Sequence, residues 1–359
     1  MSGPLGRLAT AALRCIDPET AHMLSIRALR TGLVPTARRP EDPKLAVTVA
    51  GLRFPNPLGM AAGYDKNGKV PDALLSLGFG FAEIGTVTPL PQPGNPRPRI
   101  FRLQRDGAII NRLGFNNEGH DAMLARLAAR RRRGGIVGVN IGANKDSADR
   151  IGDYVLGVKR FAPLASYLAV NISSPNTPGL RNLQSRASLA ELLARVREAR
   201  DASGAMPPVF LKIAPDLSET ELAEIAEEVQ DKRIDGLIVS NTTLSRESAT
   251  GPAVREAGGL SGRPLFARST AVLARMRKLV GPKLVIIGAG GVANAEDAAA
   301  KIEAGADLVQ LYTAMVYSGP GLPGEIVAGL SRIVAERGLA SVAQLRDRAV
   351  DEWAKRPIG

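Results

Sequence analysis

From residue 57 onward, short aliphatic runs alternate with amphipathic stretches of helical period. The runs at 57–61, 81–87, 135–142, 167–173, 209–214, 236–241, 284–289 and 308–313 are rich in Val, Ile, Leu and Ala. Several are almost continuously apolar, as in strands covered on both faces. Between them the spacing predicts helices near 69–76, 119–133, 188–201, 218–231, 267–280, 294–304 and 322–336. The segment 147–164 is a weaker helix, because glycine and proline interrupt it. The helix over 218–231 is the best specified. Leu222, Ile225 and Val229 share one face, and Ser218 with Glu221 forms a capping box in which each side chain satisfies a backbone N–H of the first turn.

Eight strand–helix units of this kind fit an α/β protein, a closed (β/α)8 TIM barrel. An open doubly wound sheet carries the same alternation. The informative feature is that polar residues and glycines gather at or just after the strand ends: Lys66, Thr86, Asn140, Asn171, Lys212, Asn241, Gly290 and Thr313. A barrel brings these ends onto one rim, where sites form, whereas an open sheet would spread them along an edge.

Residues 1–40 read differently from the rest. Leu5, Leu8, Ala12 and Leu13 recur at helical spacing. A second short helix starts at Asp17 as N-cap, with Pro18 at the first helical position, and Gly32 marks its end. Six arginines against one aspartate and one glutamate give this stretch a local charge of +4. Basic amphipathic helices of this sort either lie on an anionic membrane surface or pack on the main domain as a small N-terminal helical extension. The boundary falls in the Arg38, Arg39, Pro40, Pro43 leash, giving segments 1–40 and 41–359.

Charge and composition narrow the chemistry. The 359-residue chain carries a net charge of +12, which suggests an anionic partner without choosing one. The one dense basic run, Arg130 to Arg133, ends a predicted helix, where cations complement the helix dipole, so no nucleic-acid partner is expected. Cys15 is the only cysteine, so no internal disulfide forms, and two histidines with no cluster of ligand spacing predict no metal. No apolar run reaches transmembrane length, and Arg7 and Arg14 break up any signal-peptide core.

The rim itself is rich in amides and lysines and almost devoid of acid–base histidine. His22 lies in the N-terminal extension, and His120 is expected at a surface or capping position. Gly288, Gly290 and Gly291, followed by Asn294 and a helix, fit a barrel phosphate site. Thr313 and the Gly258–Gly262 stretch strengthen that reading, and plain tight turns are the alternative. The Asn171–Thr177 loop offers amides plus Ser173 and Ser174, but no histidine for a hydrolase triad. A serine acting here more plausibly takes a proton from an acidified carbon. Lys66 and Lys212 are suited to a carboxylate, a phosphate or a reduced cofactor anion.

Taken in order, Ala61 to Gly68, Asn111 to Asn117, Asn171 to Gly179, Ser240 to Thr243 and Gly288 to Val292 closely resemble the membrane-associated, quinone-dependent class 2 of the dihydroorotate dehydrogenase family. The resemblance runs over residues 5–335. It implies an FMN-containing barrel that oxidises (S)-dihydroorotate to orotate in pyrimidine synthesis. It implies Ser174 as the base, with Phe115 and Thr177 lining the proton's exit. Lys66, Asn111, Asn176, Asn241 and Thr242 match positions that hold orotate. Ala62, Thr86, Asn140, Asn171, Lys212, Ser240, Gly262, Gly291, Tyr312 and Thr313 match FMN contacts, with Ser240 standing where some relatives carry threonine. It further implies that the N-terminal helices form a quinone tunnel near Arg102. The expected location is then the cytoplasmic face of a bacterial membrane, as a peripheral protein on an anionic lipid surface. Other FMN barrels usually present a cysteine acid, which this rim lacks. A phosphate-binding barrel without catalysis would be colourless.

Overall fold

The computed structural model describes residues 4–32, 34 and 42–358. The chain opens with α1 (Pro4–Arg14) and α2 (Pro18–Arg30), then a hairpin of β1 (Val47–Val49) and β2 (Leu52–Phe54). Next come β3 (Leu58–Met60), α3 (Pro71–Ser76), β4 (Phe81–Val87), β5 (Ile100–Leu103), β6 (Ala108–Asn111) and α4 (Gly119–Ala129). The middle alternates β7 (Ile136–Ile141), α5 (Arg150–Phe161), β8 (Tyr167–Asn171), α6 (Arg186–Ala202), β9 (Val209–Ile213), α7 (Glu219–Asp231) and β10 (Gly236–Val239). The chain finishes with β11 (Gly259–Gly262), α8 (Phe266–Val280), β12 (Val285–Ala289), α9 (Ala295–Glu303), β13 (Leu308–Leu311), α10 (Thr313–Ser318), α11 (Leu322–Glu336) and α12 (Val350–Ala354).

Eight parallel strands close in the order β3, β4, β7, β8, β9, β10, β12, β13 and back to β3. The closed barrel is therefore the fold, and the open sheet is excluded. Each predicted aliphatic run supplies one barrel strand. The capping box on α7 is present as expected, with Glu221 N–H donating to Ser218 Oγ and Ser218 N–H to Glu221 Oε2. The weaker 147–164 segment holds α5, started by Asp149, whose side chain accepts from Gly152 N–H.

The lower barrel lumen is filled by rings. Phe54, Phe81, Tyr167 and Phe210 meet edge to face in sequence, with neighbouring centroids 5.2–6.3 Å apart. Glycines on neighbouring strands make room for them, since Gly59, Gly138 and Gly236 stand in register with Phe81, Tyr167 and Phe210. Phe54 and Val49 bring the β1–β2 hairpin into the same cluster, so the barrel floor is closed by aromatic and aliphatic packing. Aliphatic residues between the barrel and its helices form the larger core.

Two features were not visible in the periodicity. One is the β1–β2 hairpin. The other is a three-stranded antiparallel sheet, β5–β6–β11, that stands over the barrel mouth. Its strands are four residues long, too short for alternation to stand out, and β11 was legible only as a glycine-rich loop. The extension forms the two helices expected, with Asp17 accepting from Thr20 N–H and Gly32 in the left-handed region at φ +72°. The leash at Arg38, Arg39 and Pro40 lies outside the described residues, as does the side chain of Leu5.

Candidate active site

The C-terminal ends of the barrel strands and the overlying β5–β6–β11 sheet enclose a cavity of about 200 Å³. Most of the residues singled out in the sequence converge on it. Ala62, Thr86, Asn171, Lys212, Ser240, Gly262, Gly291, Tyr312 and Thr313 line it, as do Asn111, Asn176, Asn241, Thr242, Ser174 and Phe115. Asn140, Thr177 and Lys66 are not among the lining residues: Asn140 is buried and accepts from the lining Thr86, Thr177 is buried and follows the lining Asn176, and Lys66 donates to the carbonyl of the lining Gly63 at 2.7 Å. Arg102 belongs to a different cavity. The Gly85–Thr86 and Val239–Ser240 peptide bonds at the rim are cis.

The amide side chains form one connected network. Asn241 Nδ2 donates to Ser173 Oγ at 2.9 Å, and Ser173 Oγ donates to Asn171 Oδ1 at 2.9 Å. Asn171 Nδ2 donates to Thr86 Oγ1 at 2.9 Å, which donates to Asn140 Oδ1 at 2.5 Å. Asn140 Nδ2 ends the chain on Glu83 Oε1 at 2.8 Å. Such a satisfied network fixes the side-chain orientations of the rim. On the loop side, Asn176 N–H points at Ser174 Oγ (3.3 Å), and Asn176 Nδ2 donates to Asn111 Oδ1 (3.3 Å).

Glu83 was missed in the sequence. It is fully buried, and the available signal was a charged residue inside the aliphatic run 81–87. Lys212 and Gln310 interrupt their own runs in the same way. Burial pushes the Lys212 ammonium below its ordinary pKa, and Glu83, 3.9 Å away, works against that shift. A second buried lysine, Lys301, lies beneath the glycine loop. Its Nζ donates to Ser269 Oγ at 2.6 Å, and Ser269 Oγ to the Gly290 carbonyl at 3.1 Å. Burial holds Lys301 well below the usual lysine range.

The donor set fits FMN. Gly291 has φ +81°, and a Cβ there would stand 2.5 Å from Phe266 Cα. At Gly262, with φ +98°, a Cβ would stand 2.3 Å from the Gly107 carbonyl oxygen. Bare backbone is thus required where a phosphate cradle would lie. Thr313 Oγ1 donates to Ser261 Oγ at 2.8 Å beside it. Thr242 Oγ1 and Gln310 Oε1 are buried without a hydrogen-bond partner and belong to residues lining the cavity, polar atoms that a planar heterocycle can satisfy.

A second cavity of about 440 Å³ lies between α1, α2, α10 and the β5–β6 sheet. Ala9, Leu13, Ala21, Ala28, Leu29 and Met315 give it an apolar wall. Ile100, Ile109 and Tyr312 line both cavities. His22, Tyr64 and Tyr312 cluster at the junction, with His22–Tyr64 and Tyr64–Tyr312 centroids 5.2 and 5.5 Å apart, and Tyr64 OH lies 3.0 Å from Ser25 Oγ. Burial, reinforced by Lys66, pushes His22 down to about 3, so its ring is neutral at ordinary pH. Arg102 donates to the carbonyls of Leu13, Arg14 and Ile16 at 2.7–3.1 Å, satisfying the exposed C-terminal end of α1. His120 is a correction. It is buried within α4, edge-on to Phe161 at 4.9 Å, and neither surface nor cap.

A closed β/α barrel with an amide-lined, glycine-cornered pocket and an adjoining apolar cavity fits a barrel oxidoreductase built for a flat redox cofactor. The chain belongs to the dihydroorotate dehydrogenase family and to its quinone-dependent class 2, with the profile described as Dihydroorotate dehydrogenase matching residues 44–334. It is 66% identical over 355 residues to the dihydroorotate dehydrogenase (quinone) of Mesorhizobium japonicum, covering 99% of each chain. It is 64% identical over 363 residues to that of Brucella ovis, covering 100% of each. Among solved structures, the ligand-free DHODH of Eimeria tenella superposes with a TM-score of 0.90 at 41% identity, covering 95% of this chain and 100% of that one. The complex of that protein with ferulenol gives 0.89, over 95% and 96%.

Proposed function

We infer that this chain oxidises (S)-dihydroorotate to orotate, with FMN as hydride acceptor and a membrane quinone as final acceptor, in pyrimidine synthesis. The observation that carries this reading is the contact between the two cavities. One polar pocket with a phosphate cradle meets one apolar tunnel across Tyr312, Ile100 and Ile109. That arrangement serves two half-reactions that share a cofactor and keep a polar and an apolar substrate apart.

FMN, bound with its phosphate in the Gly262–Gly291–Thr313 cradle, would supply the hydride acceptor. Ala62, Thr86, Asn140, Asn171, Lys212, Ser240 and Tyr312 complete its surroundings. Lys66, Asn111, Asn176, Asn241 and Thr242 hold the substrate's carboxylate and ring amides, presenting donors where negative charge develops. Ser174 Oγ removes the ring proton next to the carbonyl. A serine hydroxyl is a weak base alone, so the proton moves on through a relay, with Phe115 and Thr177 lining the exit. The buried, unpartnered Thr177 Oγ1 is available for that relay.

Residues 1–40 act as the quinone-access segment on the 41–359 barrel, with Arg102 holding the end of α1 over the tunnel. No helix among the described residues is long and apolar enough to cross a membrane. Leu8, Met23 and Leu24 are each more than 40% exposed on α1 and α2, alongside Arg14, Arg27 and Arg30. Apolar side chains beside cations suit peripheral binding to an anionic lipid surface, at the cytoplasmic face. The test is anaerobic mixing of purified protein with dihydroorotate while following the flavin's visible absorbance. Bleaching, reversed by added quinone, is expected. A folded protein without flavin, or a flavin that dihydroorotate leaves oxidised, overturns the reading.

A further inference from the structure

The buried carboxylate of Glu83 has no place in the substrate or cofactor contacts above, yet it sits at the centre of the barrel. It rises from β4 immediately above the aromatic floor, and four side chains from four other strands converge on it. Oε1 accepts from Asn140 Nδ2 at 2.8 Å. Oε2 accepts from Gln310 Nε2 at 2.7 Å and from Tyr167 OH at 3.0 Å. Lys212 Nζ approaches Oε1 only to 3.9 Å.

The asymmetry is informative. Three neutral donors satisfy the carboxylate, so it does not need Lys212 as a hydrogen-bond partner. Lys212 donates no hydrogen bond to any described residue at usual geometry, and its side chain lines the polar pocket. Its ammonium N–H groups are thus left for whatever occupies that pocket. A buried ammonium without a counter-ion sheds its proton, and among the described residues Glu83 is the one whose charge favours the protonated form of Lys212. The pair therefore forms an oriented dipole with its negative end locked into the barrel and its positive end turned toward the pocket.

We propose that Glu83 is a positioning residue, a fixed anion that keeps Lys212 charged and free to face the flavin, and thereby raises the flavin's reduction potential. This rests on the flavoenzyme reading above. The overall reaction is unchanged by it: one hydride, two electrons with a proton, leaves the substrate carbon, and the second proton goes to the Ser174 relay. Glu83 neither gives nor takes a proton in that step. It makes the negative charge that arrives with reduction less costly to accommodate.

The sign of one measurement separates this role from a merely structural one. In Glu83→Gln the carboxylamide keeps the shape but not the charge. If Lys212 stays charged without its anion, losing a nearby negative charge raises the potential of the bound FMN. If Lys212 becomes neutral, the oriented dipole is lost and the potential falls. The expected result for purified holoenzyme in a spectroelectrochemical titration is a fall equivalent to at least tenfold in the two-electron equilibrium, about 30 mV. On a Lys212→Met background the same substitution should produce no fall. Should Glu83→Gln not fold, Glu83→Asp, which withdraws the anion from Nζ, is expected to lower the potential by a smaller amount. An unchanged or raised potential in a yellow, folded variant overturns the proposal and leaves the parent reading intact. A wild-type protein that holds no flavin overturns both.

Discussion

Arg99 grips Glu19 through two of its nitrogens, Nη2 to Oε1 at 2.7 Å and Nε to Oε2 at 3.1 Å, and so ties α2 to the sheet over the barrel mouth. Its remaining Nη1 donates to the Pro93 and Asn95 carbonyls, and Arg97 adds a second cation on Glu19 at 3.0 Å. Arg99 is 6% exposed. Removing its anion strands a buried charge, which costs roughly 3 kcal/mol. Glu19→Ala should therefore loosen the helical extension while the barrel stays folded. Faster proteolysis within α1–α2 is expected, with quinone turnover reduced more than flavin reduction by dihydroorotate. Equal loss of both activities would show that the extension is not a separate functional part. Burial tends to raise the Glu19 carboxyl, but its bonds to Arg99 and Arg97 hold it below its ordinary value near 4.5. A depressed carboxylate stabilises above its unfolded pKa and loses that contribution as the pH falls through the folded one. Docking of α2 should therefore be intact near neutrality and weaken in acid below about 4.5.

Gly138 tests the barrel floor. A Cβ at this position would stand 2.1 Å from Tyr167 Cζ, and the ring is packed on Phe81 and Phe210 and cannot retreat. Gly138→Ala should destabilise by about 1–3 kcal/mol through overpacking. It should also disturb Glu83, to which Tyr167 donates. Gly134→Ala is the control, because nothing lies within 4 Å of a Cβ there. Thermal unfolding should separate the two by several degrees. Indistinguishable melting curves would mean that the ring layer is looser than its geometry indicates.

Much of this was legible in the chain because the barrel repeats one unit. Continuous aliphatic runs such as 167–173 have few alternatives to a doubly covered strand, and a capping box such as Ser218–Glu221 is a local hydrogen-bond pattern that tertiary contacts need not supply. The residues that line the pocket were legible because strand ends concentrate polar side chains on one rim. What escaped depends on partners distant in sequence. Glu83 gains its meaning from Asn140, Tyr167, Lys212 and Gln310, each on another strand. The His120 ring is buried by Phe161 of the next helix, which no local pattern announces. Strand β11 pairs with β6 across nearly 150 residues, and β5, β6 and β11 are all too short to display a period.

Ser174 is the residue on which the proton-transfer reading turns. It is 5% exposed, and among the described residues its hydroxyl has only Asn176 N–H as a hydrogen-bond neighbour, which leaves it able to meet a substrate. Ser174→Ala should leave FMN bound, because the cradle lies on other elements. Loss of a general base typically slows its step by about 10²–10⁴-fold. Stopped-flow measurement of flavin reduction by dihydroorotate should show that drop, with reoxidation by quinone unaffected. An unchanged reduction rate removes Ser174 from the mechanism.

The proposed contact of Lys66 with the substrate carboxylate predicts that substrate binding depends on pH. Burial pulls its ammonium down to about 8, with Glu19 opposing the shift and Arg99 adding to it. Below that value the free enzyme presents a cation, and above it a neutral amine that still donates to the Gly63 carbonyl but no longer attracts a carboxylate. A bound orotate carboxylate favours the charged form, so binding takes up a proton at alkaline pH. Orotate affinity, read from the flavin spectrum, should be flat near neutrality and fall by up to tenfold per pH unit above about 8. Lys66→Met should bind orotate roughly 100-fold more weakly at neutral pH, in line with removing one member of a desolvated charge pair. The same variant should lose the alkaline fall, because the titrating group is gone. Wild-type affinity that is identical at about pH 7 and pH 9.5, or an alkaline fall that persists in the variant, would assign the substrate carboxylate to another cation.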